Sequence, residues 1–121
     1  MQDFRNLKVW EKSHALTIDI YRHTRDFPND ERFGLTSQLR RSCSSVPANL
    51  AEGCGRGGDK DFARFVTIAS GSASETDYHL ILARDLGYMA AKTYDGLYAK
   101  VSEVRRMLNA FDRTLRGSAS G

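Results

Sequence analysis

Two prolines, two cysteines, one tryptophan and no long apolar run set the first limits on this 121-residue chain. With so little proline, long helices meet few interruptions. Two cysteines cannot make a disulfide framework, so a packed core must hold the fold, and this length suffices for one domain without disulfides or metals. Cys43 and Cys54 stand three helical turns apart on one side of a helix, too far along its axis to bridge each other, which fits a reducing compartment. They read as small core residues. No window holds the roughly 18 apolar residues of a membrane span, and no charged-then-apolar stretch opens the chain as a signal peptide would. The expectation is a cytoplasmic, soluble, all-α protein with no membrane association.

The chain is organised around Leu35 to Gly58, LTSQLRRSCSSVPANLAEGCGRGG. Leu35, Leu39, Cys43, Val46, Leu50 and Cys54 recur at gaps of 4, 4, 3, 4 and 4, which at about 100° per residue makes one buried stripe. Beside it Gln38, Ser42, Ser45, Asn49 and Glu52 line one flank at gaps of 4, 3, 4 and 3. That polar ladder is either a solvated flank or a contact surface against another helix, subunit or ligand. Pro47 removes a backbone donor and should leave the Cys43 carbonyl without its usual partner, so a kink is expected there. The helix starts near Asp30 or Leu35, with Asn29 or Asp30 as cap. It ends in the glycines at 53, 55, 57 and 58. A phosphate loop is excluded, because no strand precedes these glycines and no Lys-Ser/Thr pair follows them.

The first helix is expected from about Asn6 to Arg25, before the Phe27-Pro28-Asn29-Asp30 loop. Leu7, Trp10, His14, Ile18 and Tyr21 predict its core face. Val9, Leu16 and Ile20 form a second patch, a wide flank or an oligomer contact. The third helix should run from an Asp59 cap to about Leu86, before Gly87. Its seam of Phe62, Val66, Ala69, Ala73, Thr76, Leu80, Ala83 and Gly87 keeps gaps of 4, 3, 4, 3, 4, 3 and 4. Small side chains from Ala69 to Ser74 admit a close neighbour, and Gly71 shares a flank with Glu75 and His79. The fourth helix, about Thr93 to Arg116, carries the seam Tyr94, Leu97, Val101, Val104, Leu108, Phe111 and Leu115. A single domain over residues 1–116 and a disordered tail over 117–121 are expected.

Net charge is +3, with an excess of two acidic residues over 59–87 and of three basic residues over 88–121. Lys100, Arg105, Arg106, Arg113 and Arg116 lie on the outer side of the fourth helix. Catalytic chemistry finds no support: no nucleophile is paired with an oriented base, His14 has no second metal ligand at useful spacing, and no metal set exists. Glu75 and His79 are an i, i+4 pair of the ordinary hydrogen-bonding kind. Asp59, Asp61, Glu75 and Asp77 are explained by capping and solvation. No cofactor is implied.

Several runs, at matching spacing over nearly the whole chain, carry a resemblance: Phe4-Arg5-Asn6-Leu7-Lys8-Val9-Trp10, Phe27-Pro28, FGLTSQLRRSCSSVPANLAEG from Phe33 to Gly53, Phe62-Ala63-Arg64-Phe65, Gly71-Ser72, Glu75, and ARDLGYM from Ala83 to Met89. They resemble the bacterial four-helix-bundle family of ribosomal RNA intervening-sequence proteins, which is related to the accessory proteins of diversity-generating retroelements. The resemblance implies an up-down four-helix bundle, whose second helix the chemistry of Pro47 makes a Pro-kinked one. It also implies assembly as a homo-oligomer, a pentameric ring, without established enzymatic activity. Relatives bind a reverse transcriptase and nucleic acid, which makes RNA or DNA and a polymerase or retroelement protein the expected partners. The family motif carries onto Arg40, Arg41, Pro47, Asn49, Glu52, Gly53, Arg56, Gly71, Ser72 and Glu75. Ala73 stands where relatives commonly have leucine, and Ser70 where a basic residue is frequent. Arg40, Arg41, Arg56 and the fourth-helix cations Lys100, Arg105, Arg106, Arg113 and Arg116 are then candidates for phosphate contacts. For Arg40 and Arg41 the alternative is pairing with carboxylates of a neighbouring subunit. Gln38, Ser42, Ser45, Asn49, Glu52, Gly71, Ser72 and Glu75 become candidates for a polar seam or subunit contact, with Val9, Leu16 and Ile20 for an oligomer contact.

Overall fold

A computed structural model describes residues 3–120, and among them every regular element is helical. Four helices follow one another: α1 (Lys8–Thr24), α2 (Leu35–Cys54), α3 (Asp59–Asp85) and α4 (Ala91–Ser120). Short 3-10 turns at Phe4–Asn6 and Asn29–Glu31 precede α1 and α2. Each helix packs on its neighbours in sequence and α4 closes back onto α1, so the bundle is a four-membered cycle around one core. The α2 and α3 seams face inward as expected: Leu39, Cys43, Val46 and Leu50 meet Val66, Ala69, Ala73 and Leu80 in one apolar cluster with Val101, Val104 and Leu108 of α4.

α1 is rotated relative to expectation. Val9, Leu16 and Ile20 are 5, 3 and 0 % exposed and belong to the core of their own chain, whereas Ile18 and Tyr21 are 38 and 41 % exposed. His14 also lies outside, stacked on Trp10 with ring centroids 4.9 Å apart. The reason is the hydroxyl residues between the three aliphatics. Ser13, Thr17 and Thr24 are buried on the same face. Each donates back to its own helix: Ser13 to the Trp10 carbonyl at 3.0 Å, Thr17 to Ser13 at 2.8 Å and Thr24 to Ile20 at 2.8 Å. A hydroxyl satisfied in this way packs as a small core side chain.

Pro47 lies inside α2, which remains a single helical element from Leu35 to Cys54; the kink expected at the proline is not shown. The Cys43 carbonyl that Pro47 cannot reach finds a donor across the bundle instead, the Thr17 hydroxyl of α1 at 3.1 Å. Helix ends also differ from the expected caps. Neither Asn29 nor Asp30 caps α2; Glu31 does so from the preceding turn, its Oε1 accepting from the Leu35 amide at 3.1 Å, and its Oε2 accepts from Tyr88 Oη at 2.8 Å. That link joins the α1–α2 and α3–α4 connections at one end of the bundle. Gly58, not Asp59, is the N-cap of α3, and no side chain bonds there. Gly87 ends α3 as expected: at φ +80 it allows the Gly87 amide to bond Arg84 and the Tyr88 amide to bond Ala83. The backbone of α4 stays helical to Ser120, beyond the expected domain end at residue 116, and Leu115 is buried near its end. Gly121 lies outside the described residues.

Gly53 and Gly71, both named by the family motif, do opposite things. A Cβ on Gly53 would sit 2.6 Å from Phe62 Cδ1 and 3.0 Å from Phe65 Cβ, while one on Gly71 would meet nothing within 4 Å. Gly53→Ala should therefore lower stability by about 1–3 kcal/mol through overpacking, and Gly71→Ala should raise that of the single chain by up to about 1 kcal/mol through helix propensity. Urea unfolding of both variants checks the pair; equal effects would contradict the packing.

Candidate assembly and nucleic-acid surfaces

The middle of the α2 polar ladder, Ser42 and Ser45, faces α3 inside the chain, while Gln38 and Glu52 at its ends are exposed. Thr76 Oγ1 of α3 lies 2.9 Å from Ser42 Oγ as its donor, and Ser42 donates on to the Leu39 carbonyl at 3.2 Å. One turn along, the Ser45 and Ser72 hydroxyls are 2.9 Å apart. Asn49 Nδ2 donates to both the Ser45 carbonyl (2.8 Å) and Oγ (2.9 Å), which leaves the Ser45 proton for Ser72. Beyond Ser42, Arg41 Nη2 donates to Gln38 at 2.8 Å and to Glu75 at 3.1 Å. Glu52 at the far end pairs with Arg56 of the α2–α3 connection. Ser42, Ser45, Ser72 and Thr76 thus form the α2–α3 seam with the Arg41–Glu75 pair at its edge, whereas Gln38, Asn49 and Glu52 bond within their own segment and Gly71 is exposed.

Most candidate cations are already engaged. Arg40 is committed to structure: its Nε donates to Thr24 Oγ1 at 2.8 Å, its Nη2 to the Tyr21 carbonyl at 3.3 Å, and its guanidinium lies 4.7 Å from the Tyr21 ring centroid. It therefore serves the open C-terminal carbonyls of α1 from a neighbouring helix. Lys100 pairs with Asp19, Arg105 with Asp77 at 2.6 Å and Arg116 with Asp112 at 2.9 Å. Among the described residues Arg106 and Arg113 have no ionic partner; both are exposed and, seven residues apart, share one side of α4.

Two surfaces lie outside the sequence-based expectations. On α1, exposed His14, Ile18 and Tyr21 form an outer ridge that half-buried Trp10 continues, stacked on His14 and edge-on to Phe4 at 5.0 Å. Its signal in the sequence was the serine and threonine spacing that marks the opposite face as core. The second surface is an open basin of about 1040 Å³ around the start of α3, lined by Arg56, Lys60, Arg64 and Arg116 together with Asp61, Thr67 and Ile68. Lys60 and Arg64 are not among the expected phosphate contacts because each, read singly, is an ordinary solvated helix cation; their i, i+4 spacing shortly after Arg56 is the available signal.

Titratable groups elsewhere are not poised for chemistry. Burial pushes the Cys43 thiol up to about 12, which keeps it protonated and inert. Among the described residues no three His, Cys, Asp or Glu side chains cluster as metal ligands, and no helix is long and apolar enough to cross a membrane. His79 is held below the ordinary histidine value by burial, opposed by Glu75 and reinforced by Arg41. Its Nδ1 is buried without a hydrogen-bond partner.

These surfaces define a class before a particular family: a small helical bundle whose exposed features are an aromatic ridge and scattered cations. A profile described as 23S rRNA-intervening sequence protein matches residues 5–110, and the chain belongs to that family. It is also similar to the crystal structure of a protein of unknown function from the S23 ribosomal protein family of Bacteroides thetaiotaomicron, with TM-score 0.77 and 25 % identity over 86 % of this chain and 97 % of that one. No curated protein matches it.

The His79 environment generates a pH dependence. Because its folded pKa is lowered, the unfolded state takes up the proton first, so the neutral-His79 contribution is intact above the unfolded value of 6.5 and is lost as pH falls below it. Urea unfolding between about pH 7.5 and about pH 5.5 should show falling stability, and His79→Gln should flatten that fall. An equally steep fall in the variant would contradict the assignment.

Proposed function

We propose that this protein is a non-enzymatic scaffold in the cytoplasm that assembles with copies of itself through the outer face of α1 and holds RNA or DNA by its backbone phosphates. The observation that carries the reading is the α1 ridge. His14, Ile18 and Tyr21 are exposed on a helix whose opposite face already fills the core, while Trp10 at the end of the ridge is half-buried against it, so much of the ridge is left uncovered by the single chain. A second copy laid against it removes apolar area from water, at roughly 25 cal/mol per Å². A ring of five is the stoichiometry that the family resemblance implies. Arg106 and Arg113, exposed on the outer side of α4, support the backbone-phosphate contacts.

A second reading, an adaptor for a polymerase or reverse-transcriptase partner, is favoured by one observation. Phe33 is 86 % exposed at the bundle end where the α1–α2 and α3–α4 connections meet, with exposed Leu86 in the second of them.

Multi-angle light scattering tests the first reading. The expected mass is five times the 13.6 kDa of one chain, rising with short RNA or duplex DNA at low salt and not at high salt. Ile18→Glu places a charge on the ridge without touching the core, so it should give folded monomers. A wild-type monomer, or an Ile18→Glu protein of unchanged mass, would overturn assembly through α1.

A further inference from the structure

The basin at the start of α3 holds more positive charge than packing requires. Arg56 comes from the α2–α3 connection, Lys60 and Arg64 from the first turns of α3, and Arg116 from the end of α4. Two of the guanidiniums gather on one ring: Arg56 and Arg64 lie 5.1 and 4.5 Å from the centroid of Phe65. Glu52 and Asp61 offset these two charges from one side, and the shared ring holds both guanidiniums within reach of one further anion.

The local carboxylates hold the arginines by one edge. Arg56 meets Glu52 through Nε at 3.2 Å and Nη2 at 3.1 Å, and Arg64 meets Asp61 through Nε at 3.1 Å and Nη2 at 3.0 Å. Arg116 directs Nε to Asp112 at 2.9 Å and Nη2 to Thr67 Oγ1 at 2.8 Å. In each case the bonded edge is the Nε and Nη2 side, which leaves Nη1 for a ligand. Lys60 is exposed and has no ionic partner among the described residues. Set against Glu52, Asp61 and Asp112, the four cations keep a net charge of +1, carried by Lys60, and three guanidinium edges that a compact anion can bridge.

We propose that this basin binds a phosphomonoester group through Arg56, Lys60, Arg64 and Arg116. Confinement of these cations to one end of the bundle favours a terminal phosphate over a length of diester backbone, which needs a track of cations along the strand. The volume of about 1040 Å³ far exceeds a phosphate and leaves room for whatever carries it. The carrier is either a small phosphorylated molecule or the phosphorylated end of a strand. The site deepens the phosphate-binding part of the proposed function and rests on it only for the strand-end case.

The test compares adenosine 5′-monophosphate with adenosine by calorimetry, and a 5′-phosphorylated RNA oligonucleotide with its 5′-hydroxyl counterpart by fluorescence anisotropy, at low salt. The proteins are the full chain, Lys60→Ala/Arg64→Ala, and Lys92→Ala, which removes an exposed cation at the other end of the bundle. The monophosphate should bind where adenosine does not. The double variant should weaken it at least tenfold with an unchanged circular dichroism spectrum, and Lys92→Ala should not. A similar preference for the 5′-phosphorylated RNA assigns the strand end; monophosphate binding without any RNA binding keeps the site and overturns the nucleic-acid reading. No monophosphate binding, or equal affinity in the double variant, overturns the site, and RNA that still binds then leaves the proposed function standing.

Discussion

Proline at position 47 removes the amide that would have bonded the Cys43 carbonyl, and the Thr17 hydroxyl of α1 stands 3.1 Å from that oxygen. Leaving such a carbonyl buried and unpaired costs about 1–3 kcal/mol, so the proline in α2 makes a demand that one face of α1 meets. The hydroxyl also reaches the Ser13 carbonyl of its own helix at 2.8 Å, sharing one proton between the two helices. Thr24 and Arg40 repeat the arrangement two turns along, with the arginine reaching from α2 to the C-terminal end of α1. Together these contacts set the rotation of α1, turning Val9, Leu16 and Ile20 inward, leaving His14, Ile18 and Tyr21 outside and Trp10 half-buried at the edge.

On its opposite flank α2 presents the hydroxyl ladder to α3. Directional bonds such as Ser42–Thr76 and Ser45–Ser72 fix the helix register more tightly than apolar contact alone would. Small side chains there, and Gly53 against Phe62 and Phe65, let the two helices approach closely. α2 is thus held by polar contacts on two sides and by apolar burial between them. The chemistry available for partners is left at the periphery: the α1 ridge, the exposed α4 arginines and the basin beside Phe65.

Helix number, helix order and the inward seams of α2, α3 and α4 were legible in the sequence because their spacing repeats at the helical period over many turns. The open Cys43 carbonyl was legible too, since it follows from proline chemistry alone. Its donor was not: a threonine on α1 reads as polar until the carbonyl opposite it is known. The same ambiguity inverted the faces of α1, where outward Ile18 and Tyr21 outweighed inward Ser13 and Thr17 on any scale of apolar character. Caps were misplaced because Glu31 reaches α2 from a separate 3-10 turn, and the basin was missed because its cations converge only in three dimensions.

A double-mutant cycle between Thr17 and Pro47 tests the central interaction most directly. Thr17→Val in the otherwise unchanged chain should lose about 1–3 kcal/mol of unfolding free energy. With Pro47→Ala, which returns an amide to the Cys43 carbonyl, the same substitution should cost less than half as much. Equal losses in both backgrounds would mean that Thr17 does not answer the proline, and that the rotation of α1 has another cause.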